Sequence, residues 1–235
     1  MSREQRRKVA EETLAICRQG SYQDVDLAPL LDAAVEGSLM YEDPAAGPLG
    51  FPEETDAAVD PCPVDFCAMT TLDAILAHRD VDVAVLNFAS AKNPGGGFLR
   101  GSMAQEESLA VAGGLYVCLE QFNAHYTSLK RNPRNGLYTH ACIFSPKVPF
   151  FRDGRGLLLD EPVVASVLTC AAVNAGVVPH DLRNQIIPEM RDRFDHVLRV
   201  AAHHRVHRAV LMTWGVYFAM LEGSVSAVSK PCFCN

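Results

Sequence analysis

Apolar positions along the chain follow two patterns, a spacing of three to four residues and short continuous runs. The first pattern predicts amphipathic helices, which we place at residues 3–19, 27–35, 70–79 and 189–205. The second predicts buried strands rich in Val, Leu and Ile, which we place at residues 81–88, 138–144, 163–169 and 209–214. Because helices and strands alternate, we expect an α/β fold with a mixed or parallel sheet between helical layers.

Loops follow three of the predicted strands, at Asn93, Asn174 and Gly215. Ligands of such folds bind outside the carboxyl ends of the strands, so we expect these loops to converge. Pro188 fits the first turn of the last helix, where a missing amide does no harm. Residues 41–63 are rich in proline and in acidic side chains and predict a long irregular connection.

The size of the chain indicates one domain. Its 235 residues, 49% of them hydrophobic, suffice for a substantial core. We expect residues 1–65 to form an N-terminal helical extension and connection, and residues 66–235 to form the core, with an atypical end at 215–235. No run of about 18 apolar residues occurs, and no apolar segment follows the basic N-terminus, so we expect a cytoplasmic protein without membrane contact.

Charge and metal-ligating residues narrow the function classes. The net charge of −7 argues against duplex nucleic-acid binding, which needs basic patches. The eight cysteines follow no regular spacing, so we expect them to be reduced and mostly buried. We expect no metal site. The two closest cysteine pairs lack CxxC spacing, and the three histidines at the end of the last predicted helix suit a solvated helix surface. These candidates are Cys62 with Cys67, Cys232 with Cys234, and His196, His203 and His207.

The stretch 81–116 joins a predicted strand to three consecutive glycines, Gly95 to Gly97, and then to two adjacent acids, Glu106 and Glu107. Consecutive glycines are typical of positive φ angles or of a ligand held against bare backbone, so they predict a ligand cradle. Ser102 and Gln105 have the spacing of a capping box, which predicts a helix from about Met103.

The two acids would lie in the first turn of that helix and face the glycine loop. Successive helical residues project about 100° apart, so each carboxylate can hold a different atom of one ligand. The helix dipole favours their ionised forms, whereas two adjacent like charges oppose ionising both, and the sequence leaves open which effect prevails. A surface helix with acids in its first turn is the alternative, but the adjoining buried strand favours a site. Lys92 and Arg100 beside the glycines are either cations for an anionic ligand or solvated loop charges.

Three glycines, a seven-residue spacer and Gln105-Glu106-Glu107 resemble the signature of poly(ADP-ribose) glycohydrolases of the microbial type. Further resemblance extends to about Trp214. It is carried by Glu11-Glu12-Thr13-Leu14, Leu86-Asn87-Phe88-Ala89-Ser90, Ser145-Pro146-Lys147-Val148-Pro149 and Asn174-Ala175. The resemblance implies a macrodomain-like three-layer α/β/α sandwich with a mixed central sheet and an N-terminal helical extension.

The resemblance also implies an activity, namely hydrolysis of the ribose–ribose bonds of poly(ADP-ribose) from chain ends, without a cofactor. Glu107 would protonate the leaving oxygen and then activate water, while Glu106 would bind ribose hydroxyls. The amides of Gly95, Gly96 and Gly97 would cradle the diphosphate or the ribose. Asn87 and Asn93 would fix ribose or loop geometry, and Gln105 would cap and orient the helix. The implied partners are ADP-ribose and poly(ADP-ribosyl)ated proteins, in a DNA damage response.

The chain departs from the family pattern after Trp214, where a Gly-Cys-Gly loop is replaced by Gly215-Val216. Phe218, or Tyr217, is then the candidate for the aromatic ring over the terminal ribose. The alternative function is a macrodomain that binds ADP-ribose without cutting it. A phosphate-loop NTPase is disfavoured, because no Gly-Lys-Ser/Thr follows the glycines.

Overall fold

The computed structural model describes residues 1–44, 68–206 and 208–210. The helices are α1 Arg3–Gln19, α2 Ala28–Glu36, α3 Thr71–Ala77, α4 Gln105–Ala112, α5 Leu115–Glu120, α6 Asn123–Arg131 and α7 Ile186–His203. The strands are β1 Ser21–Tyr22, β2 Val25–Asp26, β3 Leu39–Tyr41, β4 Val83–Ala89, β5 Cys142–Arg152, β6 Leu158–Ala171 and β7 Arg208–Val210. The four predicted helices and the strand predicted at 81–88 are confirmed within a few residues.

One mixed sheet of five strands organises the described part of the chain, in the order β3-β5-β6-β4-β7. Strand β4 runs parallel to β6 and to β7. Strand β5 runs antiparallel to both of its neighbours, β3 and β6. Strands β1 and β2 form a separate short hairpin. The predicted mixed sheet is therefore confirmed.

Both faces of the sheet are covered, as alternation along β4 shows. Val83 and Val85 point into a core shared with α2 to α6. Ala84 and Leu86 point into a second core, which α7 closes. Because successive strand residues project to opposite faces, a strand that is apolar at every position must lie between two layers. This is the α/β/α arrangement expected from the sequence.

The ends of several strands meet at one edge of the sheet. β4 and β6 run parallel and end opposite each other at Ala89 and Ala171. Strand β5 starts at Cys142, opposite Cys170, so the loop before β5 lies at the same edge. Ala91, Tyr138 and Ala171 share a small core cluster there. The predicted convergence of the loops after β4 and β6 is thus confirmed, while the loop at Gly215 lies outside the described residues.

Helix α1 supports the glycine segment and is more than a peripheral extension. Its Ala10 and Leu14 pack in one cluster with Phe98 and with Ala110 of α4. The guanidinium of Arg3 donates from Nε to the Arg100 carbonyl at 2.9 Å, and that of Arg6 donates from Nε to the Gly101 carbonyl at 2.9 Å. The helix starts at a Ser2 capping box and ends at Gly20, whose φ of 73° is left-handed.

Two strand predictions need correction. The strand predicted at 138–144 begins at Cys142 and continues through Pro146 to Arg152, although Ser145-Pro146 was expected to end it. The strand predicted at 163–169 extends in both directions, because it pairs with β5 over most of its length. The register between the two strands shifts between Ser145 and Val148. Pro146 is tolerated in this bulge, since a bulged residue need not donate to the ladder.

The described cysteines and histidines differ in how well their burial agrees with the expectations from the sequence. Cys118, Cys142 and Cys170 are buried and free, and Cys17 is partly buried and free, as expected of these four. His196 is buried at 1% exposure, so its assignment to a solvated helix face was wrong, whereas His203 is exposed. No helix within the described ranges is long and apolar enough to cross a membrane. The two cysteine pairs, His207, most of the predicted connection and residues 211–214 of the last strand lie outside the described residues.

Candidate active site

The glycine loop folds as successive tight turns after β4. Gly95 and Gly96 have φ angles of 64° and 60°, in the left-handed region that favours glycine. The Gly96 amide donates to the Asn93 carbonyl at 3.0 Å, and the Phe98 amide donates to the Gly95 carbonyl at 3.2 Å. A 3-10 turn at Phe98–Arg100 then leads toward α4. The loop is thus held by its own backbone.

Gly96 lies directly against both acids. A Cβ added at Gly96 would lie 2.5 Å from Oε1 of Glu107 and 3.0 Å from Oε2 of Glu106. Any side chain at this position would therefore collide with the carboxylates. The glycine that the sequence places ten residues before the acid pair brings the backbone within contact of both carboxylates.

The first three residues of α4 each accept a hydrogen bond from the loop or strand that precedes it. Oε1 of Gln105 accepts from the Phe88 amide at 3.0 Å. Oε2 of Glu106 accepts from the Ser90 amide at 2.7 Å, and Oε1 of Glu107 accepts from the Gly97 amide at 2.9 Å. These contacts fix the start of α4 to the end of β4.

The predicted capping box is absent. Helix α4 begins at Gln105, its N-cap is Ala104, and no side chain caps it. Ser102 instead packs against Gly97, where an added Cβ would lie 2.5 Å from the Ser102 hydroxyl. The side-chain amide nitrogen of Gln105, Nε2, donates to the Leu86 carbonyl at 2.6 Å and to the Thr71 hydroxyl at 3.0 Å. Gln105 is therefore an orienting residue that joins α4 to β4 and α3, and the capping role was wrong.

The glycine amides are engaged inside the loop. The Gly96 amide donates to Asn93, the Gly97 amide donates to Glu107, and the Gly95 amide hydrogen-bonds Glu106. The site's own carbonyl and carboxylates accept from these amides in this structure, and the cradle for a ligand stays a prediction. The glycines let the backbone approach and orient the acid pair.

Glu106 is buried at 3% exposure, whereas Glu107 is half-buried. The pKa of Glu106 is raised to about 8, chiefly by burial and to a smaller extent by the charge of Glu107. Hydrogen bonds from the Ser90 amide, the Asn87 side chain and the Gly95 amide act in the opposite direction. Of the effects left open by the sequence, desolvation prevails at Glu106 and favours its neutral form.

The Asn87 side chain of the sheet lies within hydrogen-bonding reach of Glu106. Asn87 of β4 and Thr169 of β6 are buried partners in the sheet register, and the Asn87 amide nitrogen donates to the Thr169 hydroxyl at 3.2 Å. Within the described part of the chain, Oδ1 of Asn87 and Oε1 of Glu106 have no hydrogen-bond donor. The sequence reasoning named Asn87 but missed Thr169 and Ser90, since their contacts depend on strand pairing and on loop folding.

The other predicted binding residues have no contact with the two acids among those given above, or lie outside the described residues. Asn93 is half-buried in the loop, and its backbone amide donates to the Ser90 hydroxyl at 3.4 Å. Lys92 and Arg100 are exposed at either end of the glycines. Tyr217 and Phe218 lie outside the described residues. No group of three or more metal-ligating side chains occurs in the described ranges.

A groove of about 430 Å³ opens beside Glu107, between α4 and the starts of α1 and α3. Its walls include Arg6, Thr70, Ser108 and Asp153. This volume lies within the range of small-molecule sites. The groove includes Glu107 in its walls but not Glu106 or the glycine loop. A half-buried carboxylate on the wall of a groove can exchange protons with a bound ligand.

Comparisons with known proteins show which proteins this chain is similar to. The family described as the catalytic domain of microbial-type PARG, or poly(ADP-ribose) glycohydrolase, matches residues 10–153. A solved poly(ADP-ribose) glycohydrolase from Thermomonospora curvata is 38% identical, with a TM-score of 0.81 over 90% of this chain and 80% of its own.

The chain belongs to this family.

The same Thermomonospora curvata glycohydrolase with the inhibitor ADP-HPD is 35% identical, with a TM-score of 0.79 and the same coverage of 90% and 80%. The glycohydrolase from Deinococcus radiodurans in complex with ADP-ribose is 31% identical, with a TM-score of 0.69 over 83% of this chain and 85% of its own. No curated protein matches the chain. The macrodomain-like fold expected from the resemblance is confirmed, and this glycohydrolase is a glycosidase.

Proposed function

We propose that this glycohydrolase cuts the ribose–ribose O-glycosidic bonds of poly(ADP-ribose) from chain ends and releases ADP-ribose. The observation that carries the proposal is the contact of Gly96 with both Glu106 and Glu107. That contact places two carboxyl groups with different burial around one point at the carboxyl edge of the sheet. The complexes of the two bacterial relatives with ADP-HPD and ADP-ribose support the ligand class.

In the proposed mechanism, Glu107 is the catalytic acid and then the catalytic base. It donates its proton to the leaving ribose oxygen as the glycosidic bond breaks, and the positive charge of the oxocarbenium ion develops on the ribose that stays bound. The new Glu107 carboxylate stabilises that charge. After the leaving chain departs, the same carboxylate takes a proton from water, and the hydroxide oxygen bonds to the ribose carbon.

Glu106 takes the binding part of the mechanism. Its Oε2 faces Gly96 and accepts from the Ser90 amide, and a second lone pair of this oxygen remains for a ribose hydroxyl. Its burial fixes one rotamer, so the ribose is oriented by a rigid group. Glu107 is less buried than Glu106, which suits the group that must meet the leaving chain and then water.

The remaining binding residues are assigned by the resemblance and by their place at the edge. Asn93 and the backbone of Gly95, Gly96 and Gly97 would contact the ribose or diphosphate, and Asn87 and Gln105 would hold the acids in place. Phe218, or Tyr217, would stack over the terminal ribose. We also propose a single catalytic domain over 1–235 that acts in the cytoplasm on poly(ADP-ribosyl)ated proteins during a DNA damage response.

The test is release of ADP-ribose from an auto-modified poly(ADP-ribose) polymerase, with the wild type and Glu107→Gln compared. ADP-ribose binding is measured by calorimetry for both proteins. We expect the wild type to release monomer from the outset, and the variant to bind ADP-ribose without release. Early appearance of oligomers would contradict cleavage from chain ends. Binding by both proteins with release by neither would identify a macrodomain that only binds ADP-ribose.

A further inference from the structure

The groove beside Glu107 adjoins the glycine loop without including it. Glu107 and Ser102 belong to its walls, whereas Glu106 and the three glycines do not. Both wall residues also contact Gly97. The Gly97 amide donates to Oε1 of Glu107 at 2.9 Å, and a Cβ added at Gly97 would lie 2.5 Å from the Ser102 hydroxyl. These two residues therefore join the groove to the site described above.

The acid of a glycosidase acts between two sugars, because it protonates the oxygen that links them. In the proposed function, on which this inference rests, the terminal ADP-ribose is bound at Glu106 and the glycines. The leaving ribose must then reach Glu107 from another space, and the groove shares Glu107 with the site. That ribose carries an adenine and a diphosphate, so a space that holds it needs apolar surface and a cation.

Arg6 of α1 supplies the cation in the wall of the groove. Its Nε donates to the Gly101 carbonyl at 2.9 Å and its Nη1 donates to the Met1 carbonyl at 2.8 Å. The guanidinium is thus fixed by two backbone acceptors, and its Nη2 makes no hydrogen bond within the described ranges. The next two basic residues of α1 pair with acids one turn away, whereas Arg6 pairs with no acid of the described chain. A fixed guanidinium with a free donor suits a phosphate oxygen.

The remaining wall of the groove suits the leaving adenosine. Met103 lines the groove and is 73% exposed, so its side chain is available for contact. Methionine packs favourably against aromatic rings, which include the adenine base. Asp153 also lines the groove, but its carboxylate accepts from the Leu157 amide and from the amide and Nε of Arg155. Its charge is therefore balanced by Arg155, and the charge of Arg6 remains available.

We propose that this groove is the subsite for the leaving end of the poly(ADP-ribose) chain. Arg6 donates from Nη2 to the diphosphate of the penultimate ADP-ribose, and Met103 contacts its adenine. Arg6 is then a specificity-determining residue, because its contact forms with the unit that leaves. The contact favours a chain over a substrate whose leaving side carries no phosphate.

The test compares two substrates that release the same ADP-ribose. One is the dimer of ADP-ribose, and the other is that dimer trimmed on its leaving side to adenosine, which removes the phosphates that Arg6 would bind. We expect the wild type to prefer the full dimer by about 10-fold in kcat/KM, the size of one charge-assisted hydrogen bond. Because the contact is ionic and partly exposed, this preference should shrink as the salt concentration rises.

Arg6→Gln should abolish the preference for the full dimer. Arg3→Gln is the matched control and should retain it. Arg3 also lies on α1 and donates from Nε to the Arg100 carbonyl at 2.9 Å, but it does not line the groove.

The adenine contact has its own pair of variants. Met103→Ala should raise KM for both substrates about threefold, since both carry the leaving adenosine. Leu99→Ala should leave KM unchanged, because Leu99 is an exposed apolar residue outside the groove walls. Equal KM values in the two variants would overturn the contact of Met103 with the leaving unit.

Equal kcat/KM of the wild type for the two substrates would overturn the inference and leave the proposed function standing, since ADP-ribose is released from both. Equal loss of the preference in Arg3→Gln and Arg6→Gln would also overturn it, because the shape of the turn before α4 would then explain the loss. If Arg6→Gln does not fold, a wild-type preference that persists at high salt overturns the ionic contact. Release from neither substrate would reject the proposed function, and the inference with it.

Discussion

The two faces of the sheet both bury ionisable side chains near the carboxyl edge, but they do so in opposite ways. On the α4 face, Glu106 and Glu107 are adjacent acids, and no cation contributes to the pKa shift of Glu106 in the described part of the chain. On the α7 face, acids and bases alternate. Glu189 contacts Arg134 at 3.2 Å and His140 at 3.2 Å.

The α7 face also satisfies its most buried charge with backbone. Arg193 is 1% exposed, and its guanidinium donates to the Leu137 carbonyl at 2.7 Å and to the Thr139 carbonyl at 3.1 Å. These contacts hold the loop before β5 against α7. The surroundings of a buried ionisable group therefore indicate whether its role is structural or functional. Paired and bonded charges hold a fold together, whereas two adjacent acids without a neighbouring cation point to a functional site.

The largest effect on stability is expected on the α7 face. Arg193→Leu removes the donors for two buried carbonyls and should lower the free energy of unfolding by about 3–5 kcal/mol, while turnover per folded molecule is retained. Denaturant titration and activity at low temperature measure the two quantities. Arg199→Ala, which removes an exposed partner of Asp195, is the control and should cost at most about 1 kcal/mol. A stable Arg193→Leu protein without turnover would contradict a purely structural role for Arg193.

A second prediction concerns the pH dependence of stability. The pKa of Glu106 is raised from 4.5 to about 8 by burial, so the folded chain holds a proton that the unfolded chain has released between these values. The stabilisation is full below pH 4.5 and is lost as the pH rises through about 8. Glu106→Gln should therefore remove a decline of roughly 1.4 kcal/mol per pH unit in this window.

Urea titrations of the wild type and Glu106→Gln at several pH values measure this decline. The variant should be the more stable protein at pH 8 and should lose that advantage toward pH 4.5. Parallel curves for the two proteins would show that Glu106 titrates as an ordinary exposed acid. Glu120, an exposed acid of α5, supplies the matched control as Glu120→Gln, which should leave the slope unchanged.

Gly96→Ala should disturb the α4 face alone. The new Cβ would lie 2.5 Å from Oε1 of Glu107 on a residue whose φ is 60°, so the carboxylates must move. We expect kcat/KM for ADP-ribose release to fall about 100-fold, which corresponds to about 2.7 kcal/mol of transition-state stabilisation. Gly154→Ala is the control, because its Cβ would meet Asp73 at 3.9 Å. Equal activity of the two variants would contradict the contact of Gly96 with the acids.

The smallest effect is expected at Ser102, the predicted cap. Ser102→Ala should change the free energy of unfolding by less than about 0.5 kcal/mol, because no side chain caps α4. Thr70→Ala should cost about 1 kcal/mol, since Thr70 forms a capping box with Asp73 at the start of α3. Thermal unfolding of both variants measures the difference. A larger loss of unfolding free energy in Ser102→Ala than in Thr70→Ala would indicate that Ser102 does cap α4.

Much of the fold could be predicted from local pattern. The apolar run of β4 and the spacing in α1, α3 and α7 indicate their elements, because each pattern matches one period over its whole length. The continuation of β5 past Pro146 could not be predicted, since a bulge depends on the register with β6. Burial of His196 was missed because the apolar stripe of α7 is wider than its aliphatic residues indicate.

Part of the site could be predicted because its residues are close together in the sequence. Glu106, Glu107 and the glycines are adjacent in sequence, and their spacing alone brings them together. The contact of Asn87 with Thr169 joins residues 82 positions apart and follows from the parallel pairing of β4 with β6. The burial that separates Glu106 from Glu107 is likewise a property of the packed helix.

The same chemical change made on each face of the sheet tests whether the active site lies on the α4 face. Glu107→Gln and Glu189→Gln replace one acid each, and both ADP-ribose release and the midpoint of thermal unfolding are measured for both proteins. We predict that Glu107→Gln lowers kcat by about 10²–10⁴-fold with an unchanged midpoint. We predict that Glu189→Gln lowers the midpoint by about 2–4 °C with turnover retained. Loss of turnover in Glu189→Gln, with retention in Glu107→Gln, would contradict the assignment of the active site to the α4 face.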